Sequence, residues 1–160
     1  MQSPTTEDRP ENPGVIAPPP LIFGVALTAT WLLRRPLPIP LVPRSVRLFL
    51  GAFLLALGMP VTLLFFAAFR RAGTPIDVRK TPTALVTGGP FRYSRNPGYL
   101  SMAVIYAGLS LLMNSAAALF ILPAMLAVIR HGVIRREERF LERRFGEAYR
   151  QYAARVPRWL

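Results

Sequence analysis

The sequence predicts an all-α, polytopic membrane protein with about four transmembrane helices. Hydrophobic residues make up 52% of the 160 residues and charged residues 18%, compared with roughly 25% charged residues in an average soluble domain. Two long stretches, 48–69 and 96–129, carry no charge at all. Each is long enough to cross the hydrocarbon core of a bilayer, which takes about 20 helical residues. Composition and charge pattern together therefore predict an integral-membrane protein.

The N-terminal residues 1–20 predict a disordered or extended tail. They include three acidic residues and six prolines, and they lack the basic start and apolar run of a signal peptide. The apolar residues that follow predict a short first span near 18–33. Its uninterrupted apolar core of 13 residues is also typical of an interfacial or buried segment. Residues 21–160 are expected to form a single integral-membrane domain.

The two uncharged stretches predict the other spans. Residues 48–69 would extend roughly 33 Å as a helix, which is one full crossing. The 34 residues of 96–129 are too many for one crossing, and Asn114-Ser115 divides them. We therefore expect a helical hairpin with spans near 97–113 and 115–130.

Beyond the hairpin, the pattern predicts an amphipathic helix over 135–153. Leu141, Phe145, Tyr149 and Tyr152 recur at helical spacing, and arginine is the commonest residue at the remaining positions. Taken alone, this pattern is typical of a basic helix lying on lipid headgroups. Because the basic residues concentrate on the C-terminal side of the hairpin, the positive-inside rule places that side and the N-terminus in the cytoplasm. The four arginines between the first two spans count against this orientation.

Composition also excludes several kinds of site. There is no cysteine and His131 is the only histidine, so thiolate catalysis, disulfides and multi-histidine or cysteine metal sites are excluded. We expect no metal. The net charge of +12 is better explained in so apolar a chain by anionic lipid headgroups than by nucleic acid. Membrane lipids are therefore the expected partners, and no nucleic acid is expected. Neither of the common glycine-rich nucleotide motifs occurs.

The segment 73–97, just before the hairpin, is the first of two candidate parts of a ligand-binding site. It is too rich in glycine and proline for a regular helix, and Gly88-Gly89-Pro90 marks a turn where backbone can approach a ligand closely. The alternative is a plain cytoplasmic linker. Apolar residues such as Leu85 and Phe91 favour a loop packed into a pocket, because a solvated linker gains nothing from them.

Glu137 and Glu138 are the second candidate part of this binding site, and they are the first acidic residues after the hairpin. Carboxylates close to a bilayer are costly and need partners. Consecutive helical residues point about 100° apart, so one glutamate can face inward while its neighbour pairs with arginine. The alternative is two solvated glutamates that balance the adjacent arginines.

From about Gly73 to the C-terminus, the chain resembles the isoprenylcysteine carboxyl methyltransferase and phospholipid methyltransferase superfamily of integral-membrane enzymes. The resemblance rests on L-V-T-G-G-P-F-R-Y-S-R-N-P-G-Y at 85–99 and E-E-R-F-L-E-R-R-F-G-E-A-Y-R-Q-Y-A-A-R-V-P at 137–157, with the hydrophobic hairpin between them. It implies a re-entrant cofactor-binding loop at the cytoplasmic membrane face. It also implies methyl transfer from S-adenosylmethionine, with S-adenosylhomocysteine as product, to a lipophilic or small acceptor bearing a carboxylate, amine or thiol.

Two other functions stay open at this point. One is a non-catalytic membrane scaffold or lipid-binding protein with a degenerate cofactor site. The other is a basic lipid- or peptide-binding module, which needs only the helix at 135–152.

The resemblance also implies site residues, with Glu137 as the main cofactor carboxylate. Arg95 and Asn96 are the catalytic candidates, and Arg95 is expected to hold the carboxylate of the cofactor. Asn96 stands where the eukaryotic carboxyl methyltransferases have histidine, so proton transfer near neutral pH does not carry over. Val133 stands at the family's substrate arginine, which leaves Arg130 and His131 as substrate candidates. The implied cofactor-binding residues are Thr83, Ala84, Leu85, Val86, Gly89, Phe91, Asn96, Pro97, Gly98, Tyr99, Glu137 and Glu138.

Overall fold

The computed structural model describes residues 13–35, 42–77 and 80–160. Within these ranges the protein is all-α, as predicted, and no strand occurs. A single 3₁₀ turn, Gly89–Arg92, and a π-helical turn, Arg130–Ile134, accompany the α-helices. The helices are α1 (Pro19–Leu33), α2 (Arg44–Ala72), α3 (Pro97–Met113), α4 (Ala118–Ile129), α5 (Arg135–Phe145) and α6 (Glu147–Arg155).

Two of the helical segments are long and apolar enough to cross a membrane. They are α2 and the continuous helix Ala118–Phe145, in which α4 runs through the π turn into α5. Large apolar side chains such as Phe53, Leu63 and Phe120 project outward, with 55%, 62% and 76% of their surface exposed. Outward-facing side chains of this size are what a lipid environment requires and water penalises.

The predicted spans correspond to these elements. Residues 48–69 lie inside α2, and 115–130 overlap α4, which starts three residues later because 115–117 form a turn. The span predicted at 97–113 matches α3, and 18–33 matches α1 within one residue. At 17 and 15 residues, α3 and α1 are apolar but shorter, so their crossing of the bilayer stays a prediction.

Close approach of α2 to α3 depends on small residues at their interface. A methyl group added at Gly51 would lie 2.7 Å from Leu112, and one added at Gly58 would lie 2.7 Å from Ile105. On the opposing helix, one added at Gly108 would lie 3.0 Å from the carbonyl oxygen of Gly51. Small residues that let two backbones approach are typical of packing between membrane helices.

Polar contacts attach α1 to the hairpin. Thr30 is fully buried and hydrogen-bonds with the Tyr106 hydroxyl of α3. The Ser115 hydroxyl, in the turn between α3 and α4, donates to the Thr30 carbonyl oxygen over 3.0 Å. Hydrogen bonds inside an apolar layer fix the position of a helix, because an unpaired polar group there is costly.

The hairpin brings three chain segments to one end of the bundle. At Asn114 the chain adopts a left-handed conformation (φ 53°) and ends α3, which confirms the predicted division of the hairpin. The C-terminal turns of α2, the N-terminus of α3 and the beginning of α5 consequently border the same cavity.

The prediction of one amphipathic helix over 135–153 is wrong in one respect, because this segment forms two helices. Gly146 adopts φ 54° and ψ −123°, which is accessible to glycine but costly for other residues. This break separates α5 from α6. Tyr149 and Tyr152 of α6 are consequently buried in an internal cluster and do not continue an apolar face along the membrane.

Part of the predicted disordered tail packs against the helices. Residues 1–12 lie outside the described residues, but residues 13–18, here called the N-terminal strap, pack across the π turn. The Ile16 amide donates to the Gly132 carbonyl over 3.3 Å, and Arg136 Nη1 donates to the Gly14 carbonyl over 2.6 Å. Gly132 provides the space, since a methyl group there would lie 2.3 Å from the Ile16 side chain.

Candidate functional site

A cavity opens where α2, the loop 74–96, α3 and α5 meet. Its walls are mostly apolar, and one of them is aromatic. Phe91, in the 3₁₀ turn of the loop, is buried against Phe65 and Phe69 of α2, with ring centroids 5.8 and 5.7 Å apart. This cluster closes the side of the cavity formed by α2.

The loop is held over the cavity by hydrogen bonds at both ends. Near its start, the Thr74 hydroxyl accepts from the Thr83 amide over 2.9 Å, and the Thr83 hydroxyl donates to the Gly73 carbonyl over 3.1 Å. Near its end, the Tyr152 hydroxyl donates to the Phe91 carbonyl over 2.8 Å. Burial raises the pKa of Tyr152 to about 12, so this phenol keeps the proton it donates at every physiological pH.

Glu137, on α5, lines the cavity opposite this loop. Its carboxylate accepts a hydrogen bond from the Tyr99 hydroxyl of α3 over 2.6 Å. Among the described residues, no basic side chain lies within ion-pair distance of it. A part-buried carboxylate that lacks a cation is poised to receive one.

Glu138 has the opposite environment. Arg95 Nη1 lies 3.3 Å from its carboxylate, and Arg158 donates to both carboxylate oxygens over 2.9 and 2.6 Å. The hydrogen bond to Glu138 is the main cause that raises the pKa of Arg158. The two adjacent glutamates therefore point in different directions, as helical geometry predicts. Glu137 faces the cavity, and Glu138 pairs with the two arginines.

The C-terminal segment locks this arrangement in place. The Arg95 amide donates to the Pro157 carbonyl over 2.9 Å, and the Asn96 side chain donates to the Arg158 carbonyl over 3.0 Å. We call these contacts, together with the Arg158–Glu138 pair, the C-terminal clasp. Arg95 and Asn96 both line the cavity. The clasp engages the side-chain amide of Asn96 and the backbone amide of Arg95. The Arg95 Nε atom is buried without a hydrogen-bond partner in the described structure.

Most of the sequence-predicted site residues come together at this cavity. Thr83 anchors the loop without lining the cavity, and Gly89 (φ 61°) forms the turn before Phe91. Arg130 and His131 are exposed on the outside of the long helix, and neither lines the cavity. The predicted residues that line it are Ala84, Leu85, Val86, Phe91, Arg95, Asn96, Pro97, Gly98, Tyr99, Glu137 and Glu138.

Several lining residues were not predicted. Phe65 and Phe69 lie four residues apart at the end of α2 and therefore share a helix face. This spacing points to the cavity only once the position of the loop is known. Tyr149 and Tyr152 were assigned to a membrane-facing stripe. The other missed residues are Pro13, Pro75, Ile76, Asp77, Lys80, Pro82, Phe140 and Leu141.

Comparison with known proteins gives the family. The family model described as phospholipid methyltransferase matches residues 46–148. The chain is similar to the cobalt-zinc-cadmium resistance protein CzcN of Cupriavidus metallidurans, with 38% identity over 82 residues, 51% of this chain and 37% of that protein. The chain thus spans little more than a third of the length of that relative. An uncharacterized protein of Haemophilus influenzae is 37% identical over 62 residues, 39% of this chain and 98% of that protein. Since the family model covers more than half of the chain, the protein belongs to the phospholipid methyltransferase family of membrane methyltransferases.

Proposed function

We propose that this protein is an S-adenosylmethionine-dependent methyltransferase that acts on a lipophilic or small acceptor at the cytoplasmic face of the membrane and releases S-adenosylhomocysteine. The observation that carries the proposal is the environment of Glu137. Glu137 is a carboxylate in a mainly apolar cavity and is bonded to one tyrosine, and among the described residues no basic side chain lies within ion-pair distance of it.

The residues of the cavity fit the parts of this cofactor. Glu137 would hold its ammonium group or its ribose hydroxyls, because an ionised carboxylate accepts strong charge-assisted hydrogen bonds. The apolar wall formed by Leu85, Val86 and Phe91 suits the planar base. The unpartnered Nε of Arg95 is a donor for the cofactor's own carboxylate.

Methyl transfer from this cofactor requires few catalytic groups from the protein. The bound cofactor supplies a methyl group on a positively charged sulfur, already activated for displacement. What remains for Glu137, Tyr99 and the loop is to bind and orient donor and acceptor and to exclude water, which accounts for large rate effects in such reactions. A carboxylate or thiolate acceptor needs no general base, which agrees with a cavity that His131, the only histidine, does not line.

The membrane arrangement is part of the same proposal. We infer that α1, α3 and the two longer segments all cross the bilayer, and that the cavity opens toward the cytoplasm. The arginines of α5, α6 and the C-terminus surround this end of the bundle, and positive charge concentrates on the cytoplasmic side of membrane proteins. An acceptor dissolved in lipid would then reach the cavity from the bilayer.

Calorimetric titration of S-adenosylhomocysteine into the purified full-length protein in detergent tests the proposal. We expect Glu137→Gln to weaken binding at least tenfold, because glutamine keeps the acceptor for Tyr99 but loses the charge. Glu147→Gln is the matched control, since this exposed glutamate of α6 lies outside the cavity.

Absence of binding by the folded wild type, or equal affinity of wild type and Glu137→Gln, would contradict the proposal. A folded protein that binds no cofactor would instead be the non-catalytic membrane scaffold. Where binding is found, incubation of membrane and metabolite extracts with radiolabelled donor identifies the acceptor.

A further inference from the structure

A second concave surface lies beside the cavity, on the other side of the Arg95–Glu138 pair. Arg95, Glu138 and Tyr149 line both spaces and separate them. We call the second surface the arginine groove, which is defined by Arg95, Arg135, Arg139, Arg150 and Arg158. Its arginines converge from the loop, α5, α6 and the C-terminal segment.

The groove carries more positive charge than its own acids neutralise. Glu138 occupies Arg95 and Arg158, and Arg150 pairs with the exposed Glu147 over 2.8 Å. With Glu138 and Glu142 as its acidic lining residues and His131 neutral, the lining holds an excess of three positive charges.

Arg135 and Arg139 supply the uncompensated part of this charge. Both are exposed on α5, and neither pairs with an acid in the described part of the chain. The Arg139 Nε donates to the Arg135 carbonyl over 3.2 Å, which holds the Arg139 side chain back along the helix toward Arg135. Like charges that line one concavity repel each other, and an anion bound between them would relieve that repulsion.

A solvated helix face explains exposed arginines only where they point away from other cations. Arg143 and Arg144 are exposed on the same helix but line neither concave surface. The groove differs because its charges converge. Guanidinium groups bind phosphate oxygens through paired, charge-assisted hydrogen bonds, and an excess of three charges suits a phosphate better than a single carboxylate.

We propose that the arginine groove is a binding site for an anionic phosphate group, carried either by a lipid headgroup or by a soluble phosphate ester. The groove begins directly after the π turn that ends the apolar part of the long helix, where lipid headgroups would lie. It is separate from the cofactor cavity, so it does not depend on the proposed methyl transfer.

The double variant Arg135→Gln/Arg139→Gln tests the site, with Arg143→Gln/Arg144→Gln as its control. Both remove two positive charges from exposed positions of α5, but only the first lies in the groove. The probes are short-chain phosphatidylglycerol and the zwitterionic phosphatidylcholine, measured by native mass spectrometry of the detergent-purified protein, and glycerol 3-phosphate, measured by calorimetry.

We expect the groove variant to lose at least tenfold in affinity for the phosphate probe that the wild type binds, and the control variant less than threefold. Preference for phosphatidylglycerol over phosphatidylcholine, without binding of glycerol 3-phosphate, identifies a lipid headgroup as the source. Binding of glycerol 3-phosphate that is lost in the groove variant identifies a soluble ester.

Equal losses in both double variants would overturn the proposal, because diffuse charge would then explain the binding. A wild type that binds neither phosphatidylglycerol in preference to phosphatidylcholine nor glycerol 3-phosphate would overturn it as well. Binding of S-adenosylhomocysteine should be unchanged in the groove variant, since Arg135 and Arg139 lie outside the cavity. This measurement separates failure of the groove from failure of the methyltransferase proposal.

Discussion

The side of α5 that faces the cavity and the side that faces the arginine groove accommodate a carboxylate in opposite ways. Glu138 is paired with two arginines at 3.3 and 2.6 Å. Glu137, its neighbour, has the Tyr99 hydroxyl as its partner and no arginine among the described residues. The difference teaches that adjacent acids of one motif can have separate environments: Glu138 is committed to contacts within the fold, and Glu137 is the one that we propose holds a ligand.

The arginines on one side explain this division. Arg95 comes from the loop and Arg158 from the C-terminal segment, and the clasp fixes both of them beside Glu138. Because neighbouring helical residues point about 100° apart, the same arginines do not serve Glu137. The fold thereby leaves one carboxyl group without an arginine partner in the cavity.

Glu138→Gln should have the largest effect on the free energy of unfolding. It leaves Arg95 and Arg158 without their carboxylate, at side chains that are 16% and 32% exposed, and we expect a loss of about 2–4 kcal/mol. Glu137→Gln should change stability by less than ~1 kcal/mol, because glutamine still accepts from Tyr99. Denaturant unfolding in detergent measures both.

A matched surface variant controls for charge removal. Glu142 and Arg150 are 3.9 Å apart and about half exposed, so Glu142→Gln should cost no more than ~0.5 kcal/mol. If Glu138→Gln and Glu137→Gln proved equally destabilising, the division between the two sides of α5 would not hold.

Gly98→Ala tests how tightly the cavity side is packed. An added methyl group would lie 2.8 Å from the Phe65 ring, which must then move within its aromatic cluster, at a cost of about 1–3 kcal/mol. Gly24→Ala, on α1, meets nothing within 4 Å and should be neutral or stabilising by up to ~1 kcal/mol. Thermal unfolding of both variants in detergent measures the difference, and equal melting temperatures would mean a loosely packed wall.

Tyr152→Phe should cost about 1 kcal/mol at neutral pH, since it removes the donor to the Phe91 carbonyl. Its signature is the pH dependence. Folding raises the pKa of Tyr152 from 10.0 to about 12, so its stabilising contribution is complete below pH ~10 and is lost as the pH rises through about 12. The stability difference between wild type and Tyr152→Phe should therefore shrink between pH 10 and 12. A constant difference would contradict this role.

The sequence was most informative where local pattern decides structure. The break at Asn114 and the bounds of α3 follow from an uncharged stretch and one divider, and the opposite orientations of Glu137 and Glu138 follow from helical geometry. The break at Gly146 was missed because the apolar spacing continues across it, and a left-handed glycine leaves no trace in that pattern.

Contacts between residues that are distant in sequence could not be predicted from local sequence patterns. The pairing of Arg158 with Glu138 and the packing of the N-terminal strap on Gly132 join segments that periodicity treats separately. Only the fold shows that Arg158, which directly follows the A-A-R-V-P string, returns to α5. His131 was considered for the substrate because it is close in sequence to Val133, yet it lies on the groove side of the long helix.

An experimental structure of the protein with S-adenosylhomocysteine bound tests the central claim most directly, through the distance from the Glu137 carboxylate to the nearest polar ligand atom. We expect that distance to be about 3 Å, as in a hydrogen bond, with Leu85 and Phe91 against the base and Glu138 still paired with Arg158. A ligand seated elsewhere, or one that leaves Glu137 bonded to Tyr99 alone, would contradict the claim.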